Sequence, residues 1–140
     1  MISTEINLPR KLTNQLLHLA QLSPEAEICG LIGANQAGIP SSCYPVDNSA
    51  TNPDNRFLMD AGQQINALRA IREKSETLFG IYHSHPHAPA IPSATDLELA
   101  SYPEAVQLII SLNTKGVLEI RAYRINAKTA QEIKLNLIEI

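Results

Sequence analysis

The sequence predicts an α/β fold in which helices and strands mix around a central sheet, and three observations carry this reading. Leu8, Leu12, Leu16, Leu19 and Leu22 recur at helical spacing. "TLFGIYHS" (77–84) is a short run with the composition of a buried strand. "VLEIRAYRI" (117–125) and "AQEIKLNLIEI" (130–140) alternate apolar and polar residues as half-buried strands do. A chain of 140 residues has the size of one domain, expected over 1–140, and can bury a core without disulfides.

Taken in order, the leucines define a first helix, with Pro9 suited to its first turn and Pro24 closing the segment. "EICGLIGA" (27–34) and "SSCYPVDN" (41–48) flank a turn containing Gly38 and read as a hairpin. Pro45 has no N–H to give a ladder, which puts the second strand near an edge. "TNPDNRF" is a polar turn, after which Asp60 can cap a helix reaching about Glu76. Ile65, Leu68 and Ile71 or Arg72 form its stripe. Beyond the strand at 77–84, Pro86, Pro89 and Pro92 forbid regular structure until Ser93, from which a short helix runs to about Tyr102. "AVQLIISL" (105–112) and the two alternating segments complete the strands.

Composition narrows the function classes. A net charge of −3 without a dense Lys/Arg run leaves no electrostatic footprint for nucleic acid or an anionic membrane, so a protein or small-molecule partner is expected. Glu5, Arg10 and Lys11 interrupt the first leucines, so no export signal is expected, and no apolar run reaches membrane-spanning length. Cys29 and Cys43 are then expected as reduced thiols in the cytoplasm, serving as small buried residues.

The chemistry concentrates in "HSHPHAPAIPSATD" (83–96). Strand alternation sends the His83 and His85 side chains to one face and that of Ser84 to the other, so two imidazoles can converge on one metal ion. A catalytic zinc takes three protein ligands and leaves a fourth position to water. Asp96 is the nearest third candidate, in the first turn of a helix capped by Ser93. Each piece also has a plainer reading. A His-x-His pair on a strand is more often hydrogen-bonded than metal-bound, and Ser93-x-x-Asp96 alone reads as a capping box. Thr95-x-x-Glu98 offers a competing cap and makes Glu98 a rival ligand.

In combination these residues resemble the JAMM/MPN+ zinc metallopeptidases. The pattern of that family is a distant glutamate, then His-Ser/Thr-His, seven residues, Ser, two residues and Asp. Here "HSH" ends at His85, "PHAPAIP" fills the seven positions, and Ser93, "AT" and Asp96 follow. Glu27 in "SPEAEICGLIG" matches the glutamate, with Glu25 as its rival, and "NPDNRFLMD" (52–60) is similar to the family's segment before its long helix. The resemblance covers about residues 5–125.

The resemblance implies a mixed β-sheet sandwiched by helices, with a layering like that of cytidine deaminases. It implies one zinc per chain held by His83, His85 and Asp96, with Glu27 as general base and Ser93 as donor to the oxyanion. Short bacterial members are similar to the peptidase that trims a ubiquitin-like sulfur-carrier protein after an amino acid, typically cysteine, has been added to its C-terminal glycine. The expected partner is therefore such a carrier, with a Gly-terminated tail lying extended along a sheet edge. The alternatives are a peptidase or amidase for another small peptide conjugate, and a non-catalytic interaction module stabilised by the metal. A structural zinc needs neither base nor oxyanion donor, which disfavours the module. The His-x-Glu and Pro-Cys-x-x-Cys signature of a zinc nucleobase deaminase is absent.

Overall fold

A computed structural model describes residues 4–113 and 118–140. In chain order the elements are β1 (Glu5–Pro9), α1 (Arg10–Gln21), β2 (Cys29–Ala34), β3 (Pro40–Val46), α2 (Ala61–Glu73), β4 (Thr77–His85), α3 (Ala94–Leu99), β5 (Val106–Ser111), β6 (Glu119–Asn126) and β7 (Thr129–Ile138). The strands form one mixed sheet in the order β1-β7-β6-β5-β4-β2-β3. Pairing is parallel for β1–β7 and β4–β5 and antiparallel elsewhere. None of the described helices is long and apolar enough to cross a membrane.

Helices cover both faces, as the resemblance implies. On one face Leu12, Leu16 and Ala20 of α1 pack on Ile32, Tyr82, Leu108 and Ile110. On the other, Ala67 and Ile71 of α2 pack on Leu31, Val46 and Ile81, and Leu97 of α3 packs beside Ile109 and Ile125. Neighbouring residues Leu31/Ile32 and Ile81/Tyr82 thus serve opposite layers, which is the period of two expected of a sheet buried on both sides. Gly30, opposite Tyr82 in the ladder, makes room for that ring: a Cβ there would lie 2.5 Å from its hydroxyl and from the Tyr44 carbonyl.

Several expectations are corrected. Leu8 belongs to β1, opposite Leu137, and Pro9 stands at the N-cap of α1 rather than inside it. Glu5 and Asn7 face solvent while Ile6 and Leu8 are buried, a strand alternation hidden beneath the leucine spacing. Leu22 lies past the end of α1 and is exposed. Asp60 does cap α2, accepting from the Gln63 N–H at 3.0 Å, but the buried line runs through Ala67 and Ile71 and leaves Ile65 in solvent. That helix ends at Glu73, and Ser75 beyond it adopts a φ of 57°. α3 stops at Leu99, since Ala100 is extended and Tyr102 has a φ of 62°. The hairpin of β2 and β3 is present and β3 is an edge strand, as Pro45 indicates. Val117, the first residue of one expected strand, lies outside the described residues.

Candidate metal centre

The topology brings four polar side chains to the end of β4. Ile81, His83 and His85 point toward the α2–α3 side, by the same alternation that sends Tyr82 toward α1. β4 and β5 are parallel, so the chain must cross over between them, and this crossover carries α3 and Asp96 back over the histidines. β2 runs antiparallel to β4 with Cys29 opposite His83, which sets Glu27, two residues earlier, level with His85. Strand β2 begins at Cys29, so Glu27 sits on the segment entering the strand rather than within it.

All four side chains are buried. His83 Nε2 and His85 Nε2 lie 3.2 Å apart, and Asp96 Oδ2 lies 3.1 Å from the first and 3.0 Å from the second. Ligands at about 2.0–2.1 Å from a tetrahedral zinc are about 3.3 Å from one another, so this triangle has the dimensions of one face of such a site. Glu27, His83 and His85 also bring one ligand-type atom each within 4.8 Å of one another, a group that could hold a metal ion. His85 Nδ1 faces the Pro89 carbonyl at 2.8 Å, which calls for an N–H there, so the neutral ring offers the Nε2 lone pair to a metal while the protonated ring donates Nε2–H to Asp96. Three donor atoms thus converge where a single cation would satisfy all of them.

The capping-box reading of Ser93-x-x-Asp96 holds at the same time. Ser93 Oγ accepts from the Asp96 N–H at 3.0 Å, and Asp96 Oδ2 accepts from the Ser93 N–H at 2.9 Å. The cap fixes the carboxylate's rotamer, and the Ser93 hydroxyl hydrogen stays available to donate elsewhere. Burial pushes the Asp96 carboxyl up, but hydrogen bonds from His83 and His85 outweigh it and hold the group well below the usual range. Burial lowers His83. At His85 burial acts downward too, yet Asp96 and the Pro89 carbonyl carry its pKa upward.

Glu27 is held by its backbone and left free at its tip. Its N–H donates to the Pro53 carbonyl at 2.7 Å and its carbonyl accepts from Asn48 Nδ2 at 3.0 Å. The adjacent Ile28 N–H donates to Ser84 Oγ at 2.9 Å, and the Ser84 N–H returns a bond to the Ile28 carbonyl at 3.1 Å. Glu27 Oε1 is buried and has no hydrogen-bond partner among the described residues. Burial lifts the carboxyl to about 7, against the pull of His85 and aided by repulsion from Asp96 and Asp54. A buried carboxyl poised near neutrality suits proton transfer.

The rivals stand apart. Glu25 is 86% exposed and faces His87 across 3.8 Å, and Glu98 pairs with Lys128 at 3.1 Å on the surface. His18 is exposed. Cys29 is buried, its thiol donating to the Val46 carbonyl, and burial pushes it up to about 12, so it stays protonated. Cys43 is only half-buried, less than expected. Sequence reasoning assigns no role to three contributors: Ser84, which ties Glu27's segment to the histidine strand; Asn48; and Phe57, whose ring stacks on His83 at 4.5 Å between centroids. Asn48, two residues past the end of β3, offers a signal of its own, since an Asn amide readily organises a turn. Beside the triangle lies a cavity of about 220 Å³ lined by Phe57, Met59, Ile81, Leu99 and Ile125 and reaching His83 and Asp96.

Comparison with known proteins agrees with this geometry. Residues 9–126 match the family model of prokaryotic homologs of the JAB domain. The chain is 31% identical to the CysO-cysteine peptidase of Mycobacterium bovis over 129 residues, 91% of this chain and 88% of that one. It is 39% identical to the desampylase of Haloferax volcanii over 89 residues, a match that spans 63% of this chain and 64% of the desampylase. The solution structure of protein DSY2949 from Desulfitobacterium hafniense superposes with a TM-score of 0.84 at 31% identity, covering 96% of this chain and 93% of that one. With the fold, the converging side chains and these relatives together, the chain belongs to the prokaryotic branch of the JAB-domain family.

Proposed function

We propose that this chain is a zinc-dependent peptidase that hydrolyses the amide bond after the C-terminal glycine of a ubiquitin-like or sulfur-carrier protein, releasing an amino acid such as cysteine. The observation that carries the reading is the triangle of His83 Nε2, His85 Nε2 and Asp96 Oδ2, with edges of 3.0–3.2 Å, beside Glu27, whose buried Oε1 has no hydrogen-bond partner among the described residues. His83, His85 and Asp96 would hold one zinc per chain. A zinc ion there supplies Lewis-acid chemistry, acidifying water and polarising the carbonyl under attack.

The chain's own residues do the rest. Glu27, buried beside the histidines, takes the proton of the attacking water and delivers it to the departing amine. Ser93, its oxygen already engaged by the Asp96 N–H, turns its hydroxyl hydrogen toward the developing oxyanion. The products are a glycine carboxylate and a free amine. The CysO-cysteine peptidase and desampylase relatives support the substrate class through their names. The catalytic unit is the single domain over 1–140, supported by β1 pairing with β7. A cytoplasmic setting belongs to the same proposal, supported by the two free thiols.

The test is direct: incubate the protein with a carrier protein extended by one cysteine after its terminal glycine and follow the mass. Loss of one cysteine, abolished in Glu27→Gln while zinc is still bound, is the expected result. Turnover retained by Glu27→Gln would remove Glu27 as the base.

A further inference from the structure

Metal-binding histidines ordinarily donate their remote ring N–H to a carbonyl or carboxylate, which fixes tautomer and ring orientation. His85 does so through the Pro89 carbonyl at 2.8 Å. His83 does not: its Nδ1 is buried and has no hydrogen-bond partner among the described residues. What meets this ring is Phe57, stacked at 4.5 Å between centroids with an interplanar angle of 26°.

Phe57 is itself held from both sides. The Asn48 amide donates to the Arg56 carbonyl and accepts from the Leu58 N–H, each at 3.0 Å, gripping the residues immediately before and after Phe57. The same amide accepts from the Ala50 N–H and donates to the Glu27 carbonyl, both at 3.0 Å, so all four of its hydrogen-bonding positions are used. An isolated bridge between Asn48 and Met59, with the Ser49 N–H bonded to the Leu58 carbonyl, closes the loop behind the ring.

We infer that Phe57 is the positioning residue of His83, fixing by stacking the ring orientation that the Pro89 carbonyl fixes for His85, and that Asn48 sets the place of the Phe57 ring. Metal affinity then depends on a loop that contributes no ligand atom. The inference rests on the metal reading above and extends it to residues outside the ligand set.

The experiment measures zinc affinity by competition with a chromophoric chelator for the wild type, Phe57→Leu and Phe57→Tyr at one pH, with the Tm of each metal-free protein. Leucine fills much of the volume without a stacking face, and tyrosine keeps the face. Phe57→Leu is expected to weaken zinc binding by about tenfold, the lower range for loss of an orienting partner, with Phe57→Tyr near the wild type and the metal-free Tm unchanged across the three. Wild-type affinity in Phe57→Leu, or a loss that Phe57→Tyr fails to restore, would overturn the inference. So would a metal-free Tm that falls in step with affinity, since Phe57 would then act through the fold. A wild type that binds no zinc would overturn the metal reading, and this inference with it.

Discussion

Asp96 shows how one side chain serves two readings that sequence logic treats as rivals. Its Oδ2 closes the capping box with the Ser93 N–H and also meets both imidazoles, because the first turn of α3 lies over the end of β4. Asp96→Ala is therefore expected to lose zinc and, separately, to lower the stability of the metal-free protein by about 1 kcal/mol, the net worth of the hydrogen bond it accepts from the Ser93 N–H. Full zinc occupancy with only the stability loss would leave Asp96 a cap and nothing more. Glu27 offers a pH signature. In the metal-free protein it keeps its proton up to about pH 7, whereas the unfolded chain releases it near 4.5. The native state thus binds more protons between these values, and stability falls as pH rises through that window. Glu27→Gln removes the effect, so its stability advantage over the wild type should be nil below pH 4.5 and grow to roughly 2–3 kcal/mol above pH 7. A difference independent of pH, measured by denaturant unfolding at several pH values, would contradict the burial of an ionisable Glu27. At this scale the histidines and Asp96 are legible because their spacing is local. Phe57 and Asn48 are not, because their role arises only when a distant loop folds against β4.

Elements are legible where a period or a breaker bounds them, including the short β2–β3 hairpin and the Ser93-capped α3, and β1 is lost where one pattern runs into another. The leucine spacing locates α1, and the alternation of β7 is visible in its residues, but five residues of β1 disappear into the helical pattern because Leu8 continues the spacing of Leu12 and Leu16. Helix ends are missed where tertiary context stops them, as at Ser75 and Tyr102, both at positive φ without being glycine. The turn from β6 to β7 places Ala127 and Lys128 at φ of 53° and 62°, where the usual Asn-Gly signal is missing. Gly30, by contrast, has a reason confined to the β2–β4 pair. Gly30→Ala should destabilise the fold by about 1–3 kcal/mol, since the new Cβ would meet the Tyr44 carbonyl and the buried Tyr82 ring at 2.5 Å. A neutral or stabilising outcome, as expected where alanine merely restricts the unfolded chain, would show that β2 and β4 can part without cost.

For the whole molecule, the site follows from topology. One parallel pair, β4–β5, requires a crossover, and the crossover delivers Asp96; one antiparallel pair, β2–β4, delivers Glu27 to the same end of the sheet. Side chains separated by 69 positions in the chain, from Glu27 to Asp96, thereby meet in one buried cluster bordered by an apolar cavity. The sequence makes the helix and strand mixture legible, while strand order and the curl of the chain around the site depend on long-range pairing that no local pattern records. Whether this cluster holds a metal is read most directly by elemental analysis of the purified protein beside His85→Ala. About one zinc per chain, lost in the variant, is the predicted result. A wild type without zinc under metal-replete conditions, with its fold intact, would leave His83, His85 and Asp96 a hydrogen-bonded cluster and no metal site.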